Sequence, residues 1–175
     1  MKSFLYLFLV FFALEWQYYE SDQGYFKVYL PESPTKNDQE LDTDIGNIKI
    51  YSYSAVDKKK EKDEDIYVVT HTIYPEDFIL TGADSTMEYI CQTIKEGLLN
   101  QLQDSELIYS GKEKINGIES QIFLVKYEST NSIKTALIPF ENHLYSLQQI
   151  STMEGRLNSN ADKFFTSFKI DFSKK

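Results

Sequence analysis

The sequence predicts an α+β fold: an antiparallel sheet of about six or seven strands with two packed helices. Three observations predict it. Strand-like segments of alternating apolar and polar residues follow one another with short turns between them, which only antiparallel strands can do. Two segments have helical periodicity instead, one in the middle of the chain and one near its end. Strands and helices do not alternate, so a parallel, nucleotide-binding type of sheet is not expected.

The first fourteen residues have the pattern of a secretory signal peptide. Lys2 gives a positive start, and Phe4 to Leu14 is an apolar run without charge. As a helix this run is about 16 Å long, too short for a hydrocarbon core of about 30 Å. We therefore expect residues 1–14 to direct export to the periplasm or the exterior. Only Ala13 is small near the expected cut, so an uncleaved leader that anchors the protein in a membrane stays open as an alternative.

After this leader we expect a short linker and then one domain. The linker is predicted at 15–23, and the domain at 24–175 is large enough to bury a real core without a second domain. Aromatic residues make up 15 % of the chain, against only 7 Gly and 4 Pro, which favours a packed domain with β-structure. The net charge of −9 argues against nucleic acid as a partner.

Three strands are predicted before the first helix. Residues 25–30 alternate and end at Pro31 and Pro34, because proline has no N–H to donate to a sheet. A polar connector is predicted at 37–44, followed by strands at 48–55 and 65–73. Nine consecutive charged residues, 57–65, join the last two strands as a solvated hairpin tip.

The best-marked helix follows. Ser85 and Glu88 have the spacing of a capping box. The apolar stripe that follows has intervals of three and four residues and comprises Met87, Ile90, Cys91, Ile94, Leu98, Leu99 and Leu102. Gly97 weakens this helix unless close packing needs the space. Cys91 is the only cysteine of the chain, so no internal disulfide can form, and its place on the stripe predicts a buried, inert thiol.

Four more strands and a second helix complete the predicted domain. The strands are expected at 107–112, 118–127, 133–140 and 143–151, and Asn116-Gly117 is a favoured hairpin turn pair. Asn158 or Asn160 is the expected cap of the closing helix. Its apolar side comprises Ala161, Phe164, Phe165 and Phe168.

No motif of catalysis is found. The chain has no Gly-X-Ser-X-Gly turn, no glycine-rich phosphate loop and no helix with paired histidines, so neither a cofactor nor a metal is expected. His71 and His143 are the only histidines, and their separation gives no spacing signal. We expect structural histidines, with a metal site or an acid–base role as alternatives.

Six tyrosines on the first predicted strands form a candidate partner-binding face: Tyr25, Tyr29, Tyr51, Tyr53, Tyr67 and Tyr74. If one face of the sheet is uncovered, they offer an aromatic, hydroxyl-rich surface suited to a protein. The alternative is that they pack under the helices or pair across strands.

Two parts of the chain resemble the PsbP/Mog1-like family. The segment 24–34 (Gly-Tyr-Phe-Lys-Val-Tyr-Leu-Pro-Glu-Ser-Pro) is similar to its opening strand with paired prolines, and 143–147, 161–165 and 167–170 are similar to its last strand and closing helix. The resemblance implies a central antiparallel sheet flanked by helices, and members that act by binding other proteins. It carries over no site residue.

The leading hypothesis is an exported, non-enzymatic binding or accessory domain that acts through an unknown protein partner. Contact with a membrane is expected only through an uncleaved leader. The second hypothesis is a carrier of a small apolar ligand, in a cavity lined by Met87, Ile94 and Leu98. An enzyme with a site assembled from scattered residues is the third.

Overall fold

The computed structural model of the protein describes residues 16–21, 23–58 and 64–171. The predicted signal peptide lies outside the described residues, as does most of the predicted charged hairpin tip. Among the described residues, no helix has the length and apolar character that a membrane span requires.

Ten strands and two helices make up the described structure. The strands are β1 (Gln17–Ser21), β2 (Phe26–Leu30), β3 (Thr35–Thr43), β4 (Gly46–Asp57), β5 (Asp65–Ile73), β6 (Glu106–Ile115), β7 (Ile118–Tyr127), β8 (Asn131–Phe140), β9 (His143–Thr152) and β10 (Lys169–Ile170). The helices are α1 (Asp84–Gln101) and α2 (Ser159–Ser167), and a 3₁₀ turn, Gly155–Leu157, precedes α2.

The strands form two antiparallel sheets. The large sheet has seven strands in the order β3-β4-β5-β9-β8-β7-β6, and the small sheet has three in the order β1-β2-β10. This confirms the predicted α+β fold class of antiparallel strands with two helices. The strand expected at 25–30 does not join one common sheet with the others, however, because β2 is the centre of the small sheet.

Each face of the large sheet is covered by different elements. The face that we call inner packs against β2 and α2, through Phe26, Val28 and Leu30 of β2 and Phe164 and Phe165 of α2. The opposite, outer face packs against the apolar stripe of α1, where Met87 and Cys91 meet Phe123, Val125, Leu137 and Leu144. The alternation of side chains along each strand separates these two cores.

Several local predictions are confirmed. Asn116 and Gly117 form the β6–β7 turn with φ values of 48° and 86°, as a type I′ turn requires. Asn158 is the N-cap of α2, because its Oδ1 accepts a hydrogen bond from the Ala161 N–H at 2.7 Å. Cys91 is buried, and burial raises the pKa of its thiol.

Three local predictions are wrong. The predicted connector at 37–44 forms most of β3, which pairs with β4 although every one of its residues is exposed. Part of the predicted linker at 15–23 forms β1, which pairs with β2. The predicted capping box does not form: α1 has Ala83 as its N-cap without a side-chain hydrogen bond, so Ser85 lies inside the first turn. The helix begins instead with a main-chain hydrogen bond, which the Met87 N–H donates to the Ala83 carbonyl.

Candidate functional site

The six tyrosines of the predicted face do not lie together. Tyr51, Tyr53 and Tyr67 are on the inner face of the large sheet, where Tyr53 and Tyr67 are 2 % and 0 % exposed. The alternation along β4 and β5 turns these three side chains toward the core. They therefore pack beneath β2 and α2, which is the alternative that the sequence analysis left open.

The other three tyrosines occupy separate places. Tyr25 is half-buried in the β1–β2 turn with φ of 50°. Tyr74 stacks on Phe78 at the edge of the core under α1. Tyr29 contacts Tyr18 with a ring-centroid distance of 5.3 Å. Of the six predicted residues, only Tyr29 contributes to the surface groove described below.

Where the core under α1 does not extend, the described outer face carries a mixture of hydroxyl, amide and aliphatic side chains and no tyrosine. None of the described β4 and β5 side chains belongs to the apolar core under α1. On this part of the face the half-buried polar side chains are Ser52, Ser54, Thr70, Thr72, Ser146 and Gln148, and the half-buried apolar ones are Ile50, Val56, Ile66, Val68 and Ile150. The six tyrosines therefore do not form an aromatic surface on this side of the sheet.

Buried tyrosine hydroxyls on the inner face form hydrogen bonds with the β1–β2 turn. The Tyr145 hydroxyl donates to the Gly24 carbonyl at 3.0 Å, and Ser21 Oγ donates to the Tyr53 hydroxyl at 2.8 Å. Ser21 Oγ also accepts the Gly24 N–H at 2.8 Å. Burial raises the pKa values of Tyr53 and Tyr145, which keeps these phenols neutral.

The two histidines meet inside the core. His71 Nε2 and His143 Nδ1 lie 2.8 Å apart, and the side chains are 0 % and 6 % exposed. The ring of His71 is stacked on Tyr145, with a centroid distance of 4.5 Å. Burial, with a smaller contribution from His143, lowers the pKa of His71 to about 3.

This pair is suited to packing more than to chemistry. Since the rings are hydrogen-bonded to each other and sealed against aromatic neighbours, a substrate on the surface of the described structure does not reach them. In the part of the chain that the structure describes, no group of three or more His, Cys, Asp or Glu side chains could hold a metal ion.

A cavity of about 280 Å³ lies beside Met87, at the N-terminal end of α1. Its other lining residues are mostly polar, among them Thr81, Asp84, Lys112 and Glu119, and it does not include Ile94 or Leu98. This cavity is therefore not the apolar pocket along the α1 stripe that a carrier would need.

A larger groove lies on the other side of the molecule, between the small sheet and α2. Its volume is about 530 Å³. We call it the aromatic–lysine groove, and its lining residues are Tyr18, Tyr29, Asn116, Lys163, Thr166, Ser167 and Lys169.

Local structure positions the aromatic wall of this groove. Tyr18 on β1 and Tyr29 on β2 are cross-strand partners, so their rings lie side by side on the outward surface of the small sheet. Behind them, Trp16 stacks on Tyr29 with a centroid distance of 5.4 Å, and its Nε1 donates to Asp57 Oδ2 at 3.2 Å. The wall is thereby held by the large sheet, while Tyr18 is 71 % exposed.

The opposite wall comes from α2 and from β10. Lys163 lies over the Tyr29 ring, with Nζ 5.9 Å from the centroid. Ser167 Oγ accepts the Tyr29 N–H at 2.9 Å, and Asn116 Nδ2 donates to the carbonyls of Thr166 and Phe168. These bonds fix the helix end and the β6–β7 turn relative to β2.

Sequence reasoning missed most of this groove. It named Tyr29 but not Tyr18, because the segment around Tyr18 was assigned to a linker. Lys163 could have been found on α2, where it lies away from the apolar side formed by Ala161, Phe164 and Phe165.

Comparison with known proteins identifies the class of fold. The solution structure of cyanobacterial PsbP (CyanoP) from Synechocystis sp. PCC 6803 matches with a TM-score of 0.53 and 15 % sequence identity, over 90 % of this chain and 93 % of that chain. A Pseudomonas aeruginosa protein of unknown function, PA94, gives a TM-score of 0.46 at 11 % identity, over 84 % and 90 % of the two chains. No protein-family model matches the chain, and no curated protein is significantly similar to it.

The chain thus has a PsbP-like fold, as the resemblance in its opening and closing segments implied. At this level of identity the likeness concerns the fold alone.

Proposed function

We propose that this protein is an exported, non-enzymatic binding or accessory domain that docks on another protein through the aromatic–lysine groove. The observation that carries the proposal is the groove itself. It combines the exposed ring of Tyr18 and the half-buried ring of Tyr29 with two lysines, and aromatic residues of this kind are enriched among the residues that dominate the energetics of protein recognition.

The placement of the reactive side chains also supports a binding role. The His71–His143 pair is buried, and the Cys91 thiol is buried with a raised pKa. The two imidazoles and the thiol are thus used inside the cores, while the groove presents phenols, amines, hydroxyls and an amide.

Export rests on the pattern of residues 1–14. Cell fractionation and N-terminal sequencing of the mature protein test this part. We expect the protein in the exported fraction, either cut near Ala13 or still joined to its leader. Recovery in the cytoplasm alone contradicts it.

Site-specific photocrosslinking in the native cell tests the docking role. Tyr18 and Tyr89 are matched positions, because they are 71 % and 72 % exposed and lie on the groove and on α1 respectively. A photoreactive phenylalanine analogue at position 18 should give a discrete adduct with one partner, which purified components then reproduce. The same analogue at position 89 should not.

The crosslinking pattern can also contradict the docking role. If position 18 gives no adduct, or the same diffuse set of adducts as position 89, the groove is not a docking site.

A further inference from the structure

We propose that the occupant of the aromatic–lysine groove is an extended acidic segment of a partner protein, in which carboxylates alternate with apolar side chains. This inference rests on the proposed docking function and specifies the chemistry of the partner. Three observations carry it: the charge of the groove, the state of its lysines and the apolar wall beside them.

The groove is a local exception to the charge of the protein. The chain has a net charge of −9, yet the residues that line the groove include two lysines and no carboxylate. At physiological salt, charges separated by more than about 8 Å are largely screened, so an approaching segment responds to these local charges more than to the whole molecule. The groove therefore attracts anions.

The two lysines are available to a ligand. Lys163 and Lys169 are exposed, and neither forms an ion pair with any residue that the structure describes. On neighbouring strands, Glu20 and Asp171 both pair with Lys27, at 3.5 Å and 2.9 Å. The carboxylates of Glu20 and Asp171 are thus held by a different lysine.

The aromatic wall adds an apolar requirement. Tyr18 presents an exposed ring beside Tyr29, and the cross-strand pairing and the stacking on Trp16 hold both rings in place. Rigid rings lose little conformational entropy on binding and favour apolar or aromatic side chains. In a segment with apolar residues between its carboxylates, the apolar side chains can pack on the tyrosine rings while the carboxylates pair with the lysines.

The size of the groove favours a segment over a small anion. The lining residues come from β1, β2, the β6–β7 turn, α2 and β10, and the volume of about 530 Å³ exceeds that of a single carboxylate several-fold. An extended chain rises about 3.3 Å per residue, so alternate side chains of a short strand can reach both walls.

Peptide binding tests this inference directly. The probe is a fluorescent synthetic heptapeptide in which glutamates alternate with leucines and one phenylalanine, and its counterpart has lysine at every glutamate. Using the protein purified as the cell exports it, we expect fluorescence anisotropy to show binding of the acidic peptide, weakened by added salt, and none of the lysine peptide. Amide shifts in NMR should cluster at Tyr18, Lys163 and Lys169.

Charge-reversal variants locate the interaction. Lys163→Glu/Lys169→Glu should lower the affinity for the acidic peptide at least about tenfold. The matched control is Lys95→Glu/Lys112→Glu, which changes the net charge equally on the α1 side of the molecule and should stay within about twofold of the wild type. Lys163→Gln/Lys169→Gln removes the charges without adding new ones, and it should weaken binding as well.

Each other result overturns the inference. These results are no binding of the acidic peptide at about 1 mM, equal binding of both peptides, or an unchanged affinity in the groove variants. Lysine-dependent capture by phosphatidylglycerol vesicles without peptide binding would assign the groove to a membrane surface instead. If the crosslink at position 18 persists in Lys163→Glu/Lys169→Glu, the docking function stands and only the acidic partner is refuted. If no crosslink forms at position 18 even when both lysines are present, the docking function itself is refuted.

Discussion

His71 and His143 form a buried pair in which Nε2 of the first ring and Nδ1 of the second are 2.8 Å apart. The two residues belong to adjacent strands, β5 and β9, and are offset by one row on the inner face, because His71 pairs with Tyr145 and His143 with Ile73. One ring donates the shared proton and the other accepts it, so the accepting imidazole is uncharged, and burial disfavours the charged form of His71.

The first prediction is acid destabilisation. The folded protein holds the pKa of His71 at about 3, whereas a histidine in an unfolded chain titrates near 6.5. The unfolded state therefore binds more protons between these values, and the free energy of unfolding falls as the pH is lowered through them, by an amount of the order of a few kcal/mol. Urea unfolding at several pH values measures this.

NMR of the imidazole nitrogens supplies the direct check. The His71 ring should stay neutral from pH 7 down to pH about 5. A midpoint near the ordinary value for His71 would contradict the sealed pair. His71→Phe keeps a ring at the stacking position, and it should make the dependence of stability on pH shallower.

The second prediction concerns the start of α2. Asn158 caps this helix and also donates from Nδ2 to Asp65 Oδ2 at 2.7 Å. Asn158→Ala removes the cap and a bond to a buried carboxylate, so it should lower the free energy of unfolding by about 2–4 kcal/mol. Asn160→Ala is the control, since it lies inside α2, and it should change stability by less than about 0.5 kcal/mol. Equal effects in urea unfolding would contradict the assigned cap.

The third prediction is a stabilising substitution. A Cβ added at Gly97 meets nothing within 4 Å, and the residue lies inside α1 with ordinary helical backbone. Gly97→Ala should therefore raise the free energy of unfolding by about 0.5–1 kcal/mol. Gly82 also has open space but a φ of 76°, so Gly82→Ala should be destabilising by about 1 kcal/mol. Thermal unfolding of both variants measures this, and stability changes of the same sign would contradict the role of backbone conformation.

The fourth prediction isolates a buried hydroxyl. Tyr145→Phe deletes the donor to the Gly24 carbonyl and leaves that acceptor without its bond, which should cost about 1–2 kcal/mol. Tyr89→Phe makes the same chemical change at an exposed ring and should be neutral. Equal stability of the two variants would show that the turn does not depend on Tyr145.

Much of the fold could be predicted because apolar periodicity reports burial. The stripe of α1, the alternation in β5 and the Asn116-Gly117 turn each have a local signal that the structure repeats. β3 has no such signal. Its side chains are exposed on both faces, and only backbone pairing with β4 makes it a strand.

The candidate site was harder to predict because it depends on which strands become neighbours. Tyr18 and Tyr29 meet through β1–β2 pairing, and Lys163 reaches Tyr29 only because α2 packs beside β2. His71 and His143 are 72 residues apart in sequence, and β5–β9 pairing alone joins them. Alternation predicts that Tyr53 and Tyr67 share a face, but it does not say which face is covered.

The small sheet also sets the order in which the chain can finish folding. Its central strand receives one neighbour from residues 17–21 and the other from residues 169–170, the two extremes of the described chain. During synthesis, the layer over Tyr67 and Tyr145 is therefore incomplete until the last segment emerges. In that interval a chaperone can bind the exposed aromatic surface, and we expect it to bind most strongly to a nascent chain that is stalled before α2.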